Sequence, residues 1–285
     1  MENYDTDDFL KPRISTEDKE IFLDIEYLFQ ITDEEHIELA NQINTLGLTT
    51  IAIKSYYSEE GKEYTPLFLR YVNKEQITCL YTDIIIDDDL LKEFVNIEEI
   101  GLFITDNKLI DINHYKNLNA VTTTGYNDNF RGIKFNDKIQ FASFWKGEKN
   151  NVFDFTLDLN NTKRMYFTLY KSVNFDKIHA DNLNKISVYR CKKIYHENNI
   201  NMLKNLEVLH LECCDASWLT PQKISYLKNL KELRFERCDV GFLTEETYKE
   251  LSNLKTLAIN YCKNLKTVKG IGKLDRVVIL GSKIE

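Results

Sequence analysis

The sequence is short of the two residues that interrupt regular backbone: 285 positions hold 3 Pro and 10 Gly. That scarcity excludes a low-complexity or linker-like chain. Cysteine is sparse too. Six in 285 residues make no disulfide framework, and in a reducing compartment they are expected to be free thiols. No stretch approaches the roughly 20 apolar residues that span a bilayer, so no membrane is expected. The opening Met1-Glu2-Asn3-Tyr4-Asp5-Thr6-Asp7-Asp8 has neither the basic start nor the apolar run of a secretory signal, and a cytoplasmic location is expected. Also missing are a P-loop, a G-x-S-x-G motif, H-E-x-x-H, and any zinc spacing around His36, His114, His179, His196 and His210. Gly270-Ile271-Gly272 lacks the rest of a dinucleotide fingerprint. No catalytic residue, cofactor, metal or small-molecule substrate is expected.

What is present is uneven. Residues 1–35 carry 12 acids and 3 bases, residues 36–160 carry 19 and 12, and residues 161–285 carry 14 and 22. The formal charge of −8 therefore hides −16 over the first 160 residues and +8 over the rest. This excludes a uniform surface charge and a wholly basic nucleic-acid binder. Hydrophobic residues at 43% and charged residues at 29% are ordinary for a chain long enough to bury a large core. Sixteen Tyr and 16 Phe point to strands.

The second half repeats itself. Residues 203–226, beginning Leu-Lys-Asn-Leu-Glu-Val-Leu-His-Leu, align without a gap on 227–250, beginning Leu-Lys-Asn-Leu-Lys-Glu-Leu-Arg-Phe, and ten of the 24 positions are identical. A frame L-x-x-L-x-x-L-x-L-x-x-C falls on Leu203, Leu206, Leu209, Leu211 and Cys214. It recurs on Leu227, Leu230, Leu233, Phe235 and Cys238, and again on Leu251, Leu254, Leu257, Ile259 and Cys262. A weaker copy follows at Leu274, Val277, Ile279 and Ser282. Upstream the frame fits Leu183, Ile186, Val188 and Cys191. It fits more loosely the pairs Met165/Phe167, Ile139/Phe141, Val121/Thr123, Ile100/Leu102, Ile77/Cys79 and Ile51/Ile53, with starts 18–26 residues apart. The first 44 residues do not match it.

This pattern resembles the leucine-rich-repeat family, whose frame is L-x-x-L-x-L-x-x-N/C-x-L in repeats of 20–29 residues. The resemblance implies an α/β solenoid: a curved parallel sheet on the concave face, and short helices with irregular returns on the convex face. In each L-x-L strand both apolar residues point inward and the residue between them points outward. One repeat cannot bury its own apolar face, so neighbours must stack. The expected organisation is an acidic tail and helical N-terminal cap over 1–44, degenerate repeats over 45–182, and regular repeats over 183–285.

For the cap, Ser15-Thr16-Glu17-Asp18 predicts a helix start, followed by a stripe of Ile21, Ile25, Leu28 and Phe29. A second helix is predicted after Thr32-Asp33-Glu34-Glu35, with Ile37, Leu39, Ala40 and Ile43. Residues 1–14 read as a disordered tail. Thr220-Pro221 and Thr244-Glu245-Glu246 predict short helices in two returns, and 263–268 an irregular one. The last strand is either an exposed edge or shielded by a partner.

The resemblance assigns Cys191, Cys214, Cys238 and Cys262 to a buried column bonding backbone groups at the turn, with a metal cluster as the alternative. Cys79 reads as strand core and Cys213 as a surface thiol. Asp87-Asp88-Asp89 reads as helix-start acids rather than a metal site. On the concave face the outward residues are Tyr166, Tyr189, Arg190, His210, Glu212, Arg234, Glu236, Arg237, Asn260 and Tyr261. They are candidates for partner contact, because Tyr and Arg are enriched at binding hot spots. The alternative is a solvated sheet face with cross-strand ion pairs such as Glu212 with Arg234. A one-residue slip would exchange core and surface sets. The resemblance favours a non-enzymatic protein-binding module. An intracellular immunity or inhibitor protein that neutralises a toxin or enzyme is its sharper form. Nucleic-acid binding by the basic C-terminal half is a competing class. The oligomeric state is left open.

Overall fold

The computed structural model describes residues 11–54, 64–104, 109–146, 152–197, 201–241, 243, 250–262 and 274–282. The chain divides into two compact units, Met1–Gly132 and Ile133–Glu285. Residues 1–10 of the acidic tail, the cap at Thr244-Glu245-Glu246, the return over 263–268 and the glycines at 270 and 272 lie outside the described residues.

Unit 1 contains β1 (Arg13–Ser15), β2 (Glu20–Asp24), α1 (Ile25–Gln30), α2 (Asp33–Leu46), β3 (Thr50–Lys54), α3 (Phe68–Tyr71), β4 (Cys79–Thr82), α4 (Asp88–Leu91), β5 (Glu99–Phe103), β6 (Ile110–Asp111), β7 (Ala120–Thr124) and β8 (Phe130–Arg131). β2, β3, β4, β5 and β7 pair in parallel, one strand per repeat. The inward pairs stack in register: Ile21 and Leu23 on Ile51 and Ile53, Ile51 on Leu80, Leu80 on Ile100, and Ile100 and Leu102 on Val121 and Thr123. All are buried.

The expectations for the start of this unit fail. Ser15-Thr16-Glu17-Asp18 starts no helix. Arg13–Ser15 pairs antiparallel with Glu20–Asp24 as a hairpin, Lys19 occupies a left-handed turn position at φ 55, and β2 enters the parallel sheet as a repeat strand. So residues 13–14 of the expected tail are strand, and the frame extends into the first 44 residues. The helical stripe misleads because Ile21, Ile25 and Leu28 satisfy helical spacing while Ile21 and Leu23 satisfy strand alternation. Phe29 is exposed. The second expected helix, α2, is present. Thr32 and Glu35 form a reciprocal capping box at its start, and Gly47 closes it at φ 63. Its buried face is His36, Leu39, Ala40 and Ile43, with Ile37 exposed.

Unit 2 contains β9 (Phe141–Trp145), β10 (Val152–Phe153), β11 (Leu157–Asp158), β12 (Arg164–Thr168), β13 (Ser172–Asn174), β14 (Ile178–His179), β15 (Lys185–Tyr189), β16 (Lys193–Tyr195), α5 (Asn201–Lys204), β17 (Val208–Glu212), α6 (Pro221–Ile224), β18 (Glu232–Glu236), β19 (Thr256–Asn260) and β20 (Arg276–Leu280). β9, β12, β15, β17, β18, β19 and β20 pair in parallel with one register throughout. The returns add small parallel ladders of their own, β10 with β13 and β16, and β11 with β14. The five frame positions of each regular repeat are buried. In β20, Val277 aligns with Leu257 and is 42% exposed.

Two upstream frame pairs are offset. Met165 and Phe167 align with Ala142 and Phe144, not with Ile139 and Phe141. Leu80, not Cys79, aligns with Ile51. Ile139 and Ile77 are buried at the position that Leu206 holds three residues before each strand core. An odd offset reverses the face, so Phe141 and Cys79 point outward. The expected core place for Cys79 is therefore wrong, and its thiol is half-buried.

Asparagine ties the returns together. The Asn of each Leu-Lys-Asn-Leu or its equivalent donates to a carbonyl one repeat back: Asn205 to Asp181 at 2.6 Å, Asn229 to Lys204 at 2.8 Å, Asn253 to Lys228 at 2.6 Å. Thr220 Oγ accepts from Lys223 N at 3.4 Å ahead of Pro221, as expected for that cap.

At the other end of the strands, backbone is under strain. The residue after each of β12, β15, β17, β18 and β19 is left-handed: Leu169 (φ 67), Arg190 (54), Cys213 (51), Arg237 (53) and Tyr261 (53). Each donates its N–H to the last residue of the next strand, Leu169 to Tyr189 O at 2.9 Å and Arg190 to Glu212 O at 2.7 Å, and so on along the stack. An L-residue pays about 1–2 kcal/mol for this conformation, and the ladder bond holds it there. Leu169 is 44% exposed and has little packing to lose. Leu169→Gly is expected to keep or raise the Tm, and the β-branched Leu169→Val to lower it; thermal melts giving the opposite order would contradict the strain.

Unit 2 also buries His196, 2% exposed, between Phe175 and Trp218 at ring-centroid distances of 6.0 and 5.3 Å. Neither ring nitrogen makes a hydrogen bond, and the Asp176 carboxylate stands 3.8 Å away. Burial pushes its pKa down to about 4, aided by the charge of Lys223 and opposed by Asp176. Below the usual value of about 6.5 the unfolded chain takes up a proton that the native state refuses. Stability contributed by this site is thus present above pH 6.5 and lost as pH falls towards 4. The drop in Tm between pH 7.5 and pH 5 is expected to be smaller in His196→Phe than in the wild type; equal drops would refute a neutral buried imidazole.

Candidate functional site

Within unit 2 the alternation that buries the inner pair of each strand leaves three positions facing outward. Cross-strand register arranges them in rows. Phe141, Arg164, Lys185, Val208, Glu232, Thr256 and Arg276 share one row; Ser143, Tyr166, Ser187, His210, Arg234 and Ala258 share the second; Trp145, Thr168, Tyr189, Glu212, Glu236 and Asn260 share the third. Of the expected contact residues, Tyr166, Tyr189, His210, Glu212, Arg234, Glu236 and Asn260 stand on this open face. Arg190, Arg237 and Tyr261 occupy the left-handed positions just past the strand ends.

The face is organised by its rings. Phe141 and Tyr166 approach at 5.3 Å between centroids, Tyr166 and Tyr189 stack at 6.3 Å with 20° between planes, and Tyr189 meets His210 edge-on at 5.1 Å. The Tyr189 hydroxyl and His210 Nδ1 are 3.2 Å apart. Burial, then the charge of Arg234, pushes the His210 pKa down. Ser187, between Tyr166 and His210 in its row, is fully buried, and Ser143 Oγ accepts from Trp145 Nε1 at 3.1 Å.

Charges are distributed differently across the strands. Arg234 Nε pairs with Glu232 at 2.5 Å, and Arg237 with Glu236 at 3.2 Å. The partner of Arg234 is thus Glu232 on its own strand and not Glu212. Arg237 also lies over the Tyr261 ring at 5.7 Å. Arg164 lies over Phe141 at 5.3 Å and Lys185 over Tyr166 at 5.5 Å. Sequence reasoning missed Phe141, Trp145, Arg164 and Lys185 as face residues. The three-residue offset between Leu206 and Leu209, applied to Ile139 and Ala142, would have found Phe141 and Trp145; Arg164 and Lys185 stand one residue before inner pairs that were read correctly.

The cysteine column behaves as the resemblance implied. Sγ of Cys214 donates to Val188 O at 3.3 Å and Glu212 O at 3.1 Å, and that of Cys238 to Leu211 O at 3.4 Å and Glu236 O at 3.3 Å. Ser282 makes the equivalent bond to Ile259 O at 3.3 Å. Among the described residues no group of His, Cys, Asp or Glu could hold a metal ion. Asp87 caps α4 by accepting from Asp89 N at 3.2 Å, and Lys92 pairs with Asp88 and Asp89, as expected of helix-start acids. No helix among the described residues is long and apolar enough to cross a membrane.

No protein-family model and no curated protein matches the chain. Solved structures match its fold. A leucine-rich-repeat protein of Leptospira interrogans aligns with TM-score 0.51 at 14% identity, over 93% of this chain and 72% of its own. TLR13, solved as a complex with ssRNA13, aligns with TM-score 0.51 at 13% identity, over 82% of this chain and 40% of its own. The likeness is one of fold: the stacked parallel strands are a leucine-rich-repeat architecture.

Burial pushes the thiols of Cys191, Cys214 and Cys238 up to about 12. At pH 8 they stay in the unreactive thiol form. Alkylation of the native chain at pH 8, mapped by mass spectrometry, is expected to modify the half-exposed Cys213 and to spare those three until denaturant is added; early labelling of Cys214 would contradict the buried column.

Proposed function

We propose that the chain is a non-enzymatic protein-binding module that recognises its partner on the open sheet face of unit 2. The observation that carries this reading is the row of interacting rings, Phe141, Tyr166, Tyr189 and His210, held on a regular parallel sheet. Aromatic side chains lose little freedom when a partner covers them, and aromatic and Arg side chains are the residues enriched at binding hot spots. Backbone register places them without any help from the partner. The expected contact residues Tyr189, Arg234 and Tyr261 extend the surface across β15, β18 and the end of β19. Neutralisation of a toxin or enzyme is the inhibitor form of the same activity, and the partner's identity decides it.

RNA is the competing ligand, as in the TLR13 complex. It is disfavoured because Arg164 and Lys185 already cover ring faces that bases would stack on. The test is capture of a partner from native extract, followed by calorimetry with Tyr189→Ala, Arg234→Ala and Tyr261→Ala. Each variant is expected to weaken binding about tenfold or more with an unchanged Tm. Retained affinity in all three would refute the face, and unfolding would make those residues core.

A further inference from the structure

The open face of unit 2 is chemically divided. On β17 and β18 acids accompany the bases, and Arg234 is paired. On β9, β12 and β15 none of the nine outward positions is acidic. Two of them, Arg164 and Lys185, are direct cross-strand neighbours. Among the described residues neither takes part in an ion pair, and each is braced over a ring, Phe141 or Tyr166. Like charges set side by side on a sheet repel, so the site is poised for an anion. Trp145, at the far end of the same strip, is 45% exposed.

The wider charge distribution agrees. Unit 2 holds 26 bases and 18 acids, whereas unit 1 holds 11 bases and 27 acids. An acidic ligand is therefore attracted by the unit that carries the strip and repelled by the net charge of the chain as a whole, so its binding depends on local cations. A nucleic acid fits less well. The π faces of Phe141 and Tyr166 are occupied by cations, and Tyr166 is stacked on Tyr189.

We propose that this strip receives an acidic segment of the partner protein, with carboxylates on Arg164 and Lys185 and an apolar side chain against Trp145. The inference rests on the protein-binding reading above and names the chemistry of the partner.

The full chain would be titrated against a fluorescein-labelled decaglutamate peptide carrying one Trp, and separately against a labelled ten-nucleotide oligo(dT), by fluorescence anisotropy. The peptide is expected to bind at low salt and to lose about tenfold or more in affinity in 0.5 M NaCl. The same loss is expected in Arg164→Gln/Lys185→Gln at low salt, with less than twofold change in the charge-matched control Lys192→Gln/Lys193→Gln. Arg164→Lys should retain most of the binding. No peptide binding, an equal loss in the control, or tighter binding of oligo(dT) that depends on Arg164 and Lys185 would overturn the proposal. The wild-type salt series stands even if a variant fails to fold. If Tyr189→Ala abolishes partner capture while Arg164→Gln/Lys185→Gln does not, the protein-binding reading survives and only the acidic segment falls.

Discussion

Everything in this chain depends on keeping one parallel register from strand to strand. Each strand is five residues or fewer, so its side chains alternate only once or twice between core and solvent. A single-residue slip in any repeat would drive rings and charges inward and leucines outward. The register is held at both ends of the strand. Before it, asparagines such as Asn205, Asn229 and Asn253 bond to the preceding return. After it, left-handed residues such as Arg190 and Arg237 donate to the end of the following strand, and cysteines bond to the strand behind. Short strands tolerate this strain because each strained residue is fixed by a hydrogen bond that its neighbour supplies.

This arrangement explains what was legible in the sequence. From Leu183 to Cys262 the apolar positions are Leu, Ile, Val or Phe and the turn position is Cys. Spacing and residue type agree there, and every frame residue is buried as read. Upstream they disagree. The inner pair of β9 is Ala142 and Phe144 and that of β4 is Leu80 and Thr82, while Ile139 and Ile77 are equally apolar three residues earlier. A frame chosen by apolar content alone locks onto the wrong pair. The turn position is also disguised: Tyr170 fills the place of Cys191 and satisfies the backbone through its hydroxyl, bonded to Trp145 O at 3.0 Å. At the start, Ile21 and Leu23 belong to a strand whose continuation, Ile25 and Leu28, is helical. No single period describes that segment.

The outward residues of the regular repeats were legible for the same reason, since alternation is strict there. The error in β9 had a cost beyond one strand. By burying Phe141 it removed the ring over which Arg164 lies, and with it the strip of rings and cations. A misread core position is also a misread surface position, because the two sets are complementary on a two-residue period.

The two parts of the open face differ in what a partner must displace. Around Glu232, Arg234, Glu236 and Arg237 the charges neutralise one another at short distance. A ligand arriving there exchanges existing ion pairs for its own, and because exposed ion pairs are worth about 0–1 kcal/mol they oppose it little. Around Arg164 and Lys185 the rings orient the cations without neutralising them. Ring contact lowers the freedom of two long side chains before any ligand arrives, so the entropy of fixing them is already lost in the free protein. The same residue types are thus neutralised by carboxylates on β18 and ordered but unneutralised on β12 and β15. The difference lies in whether the cross-strand neighbour is a carboxylate or an aromatic ring.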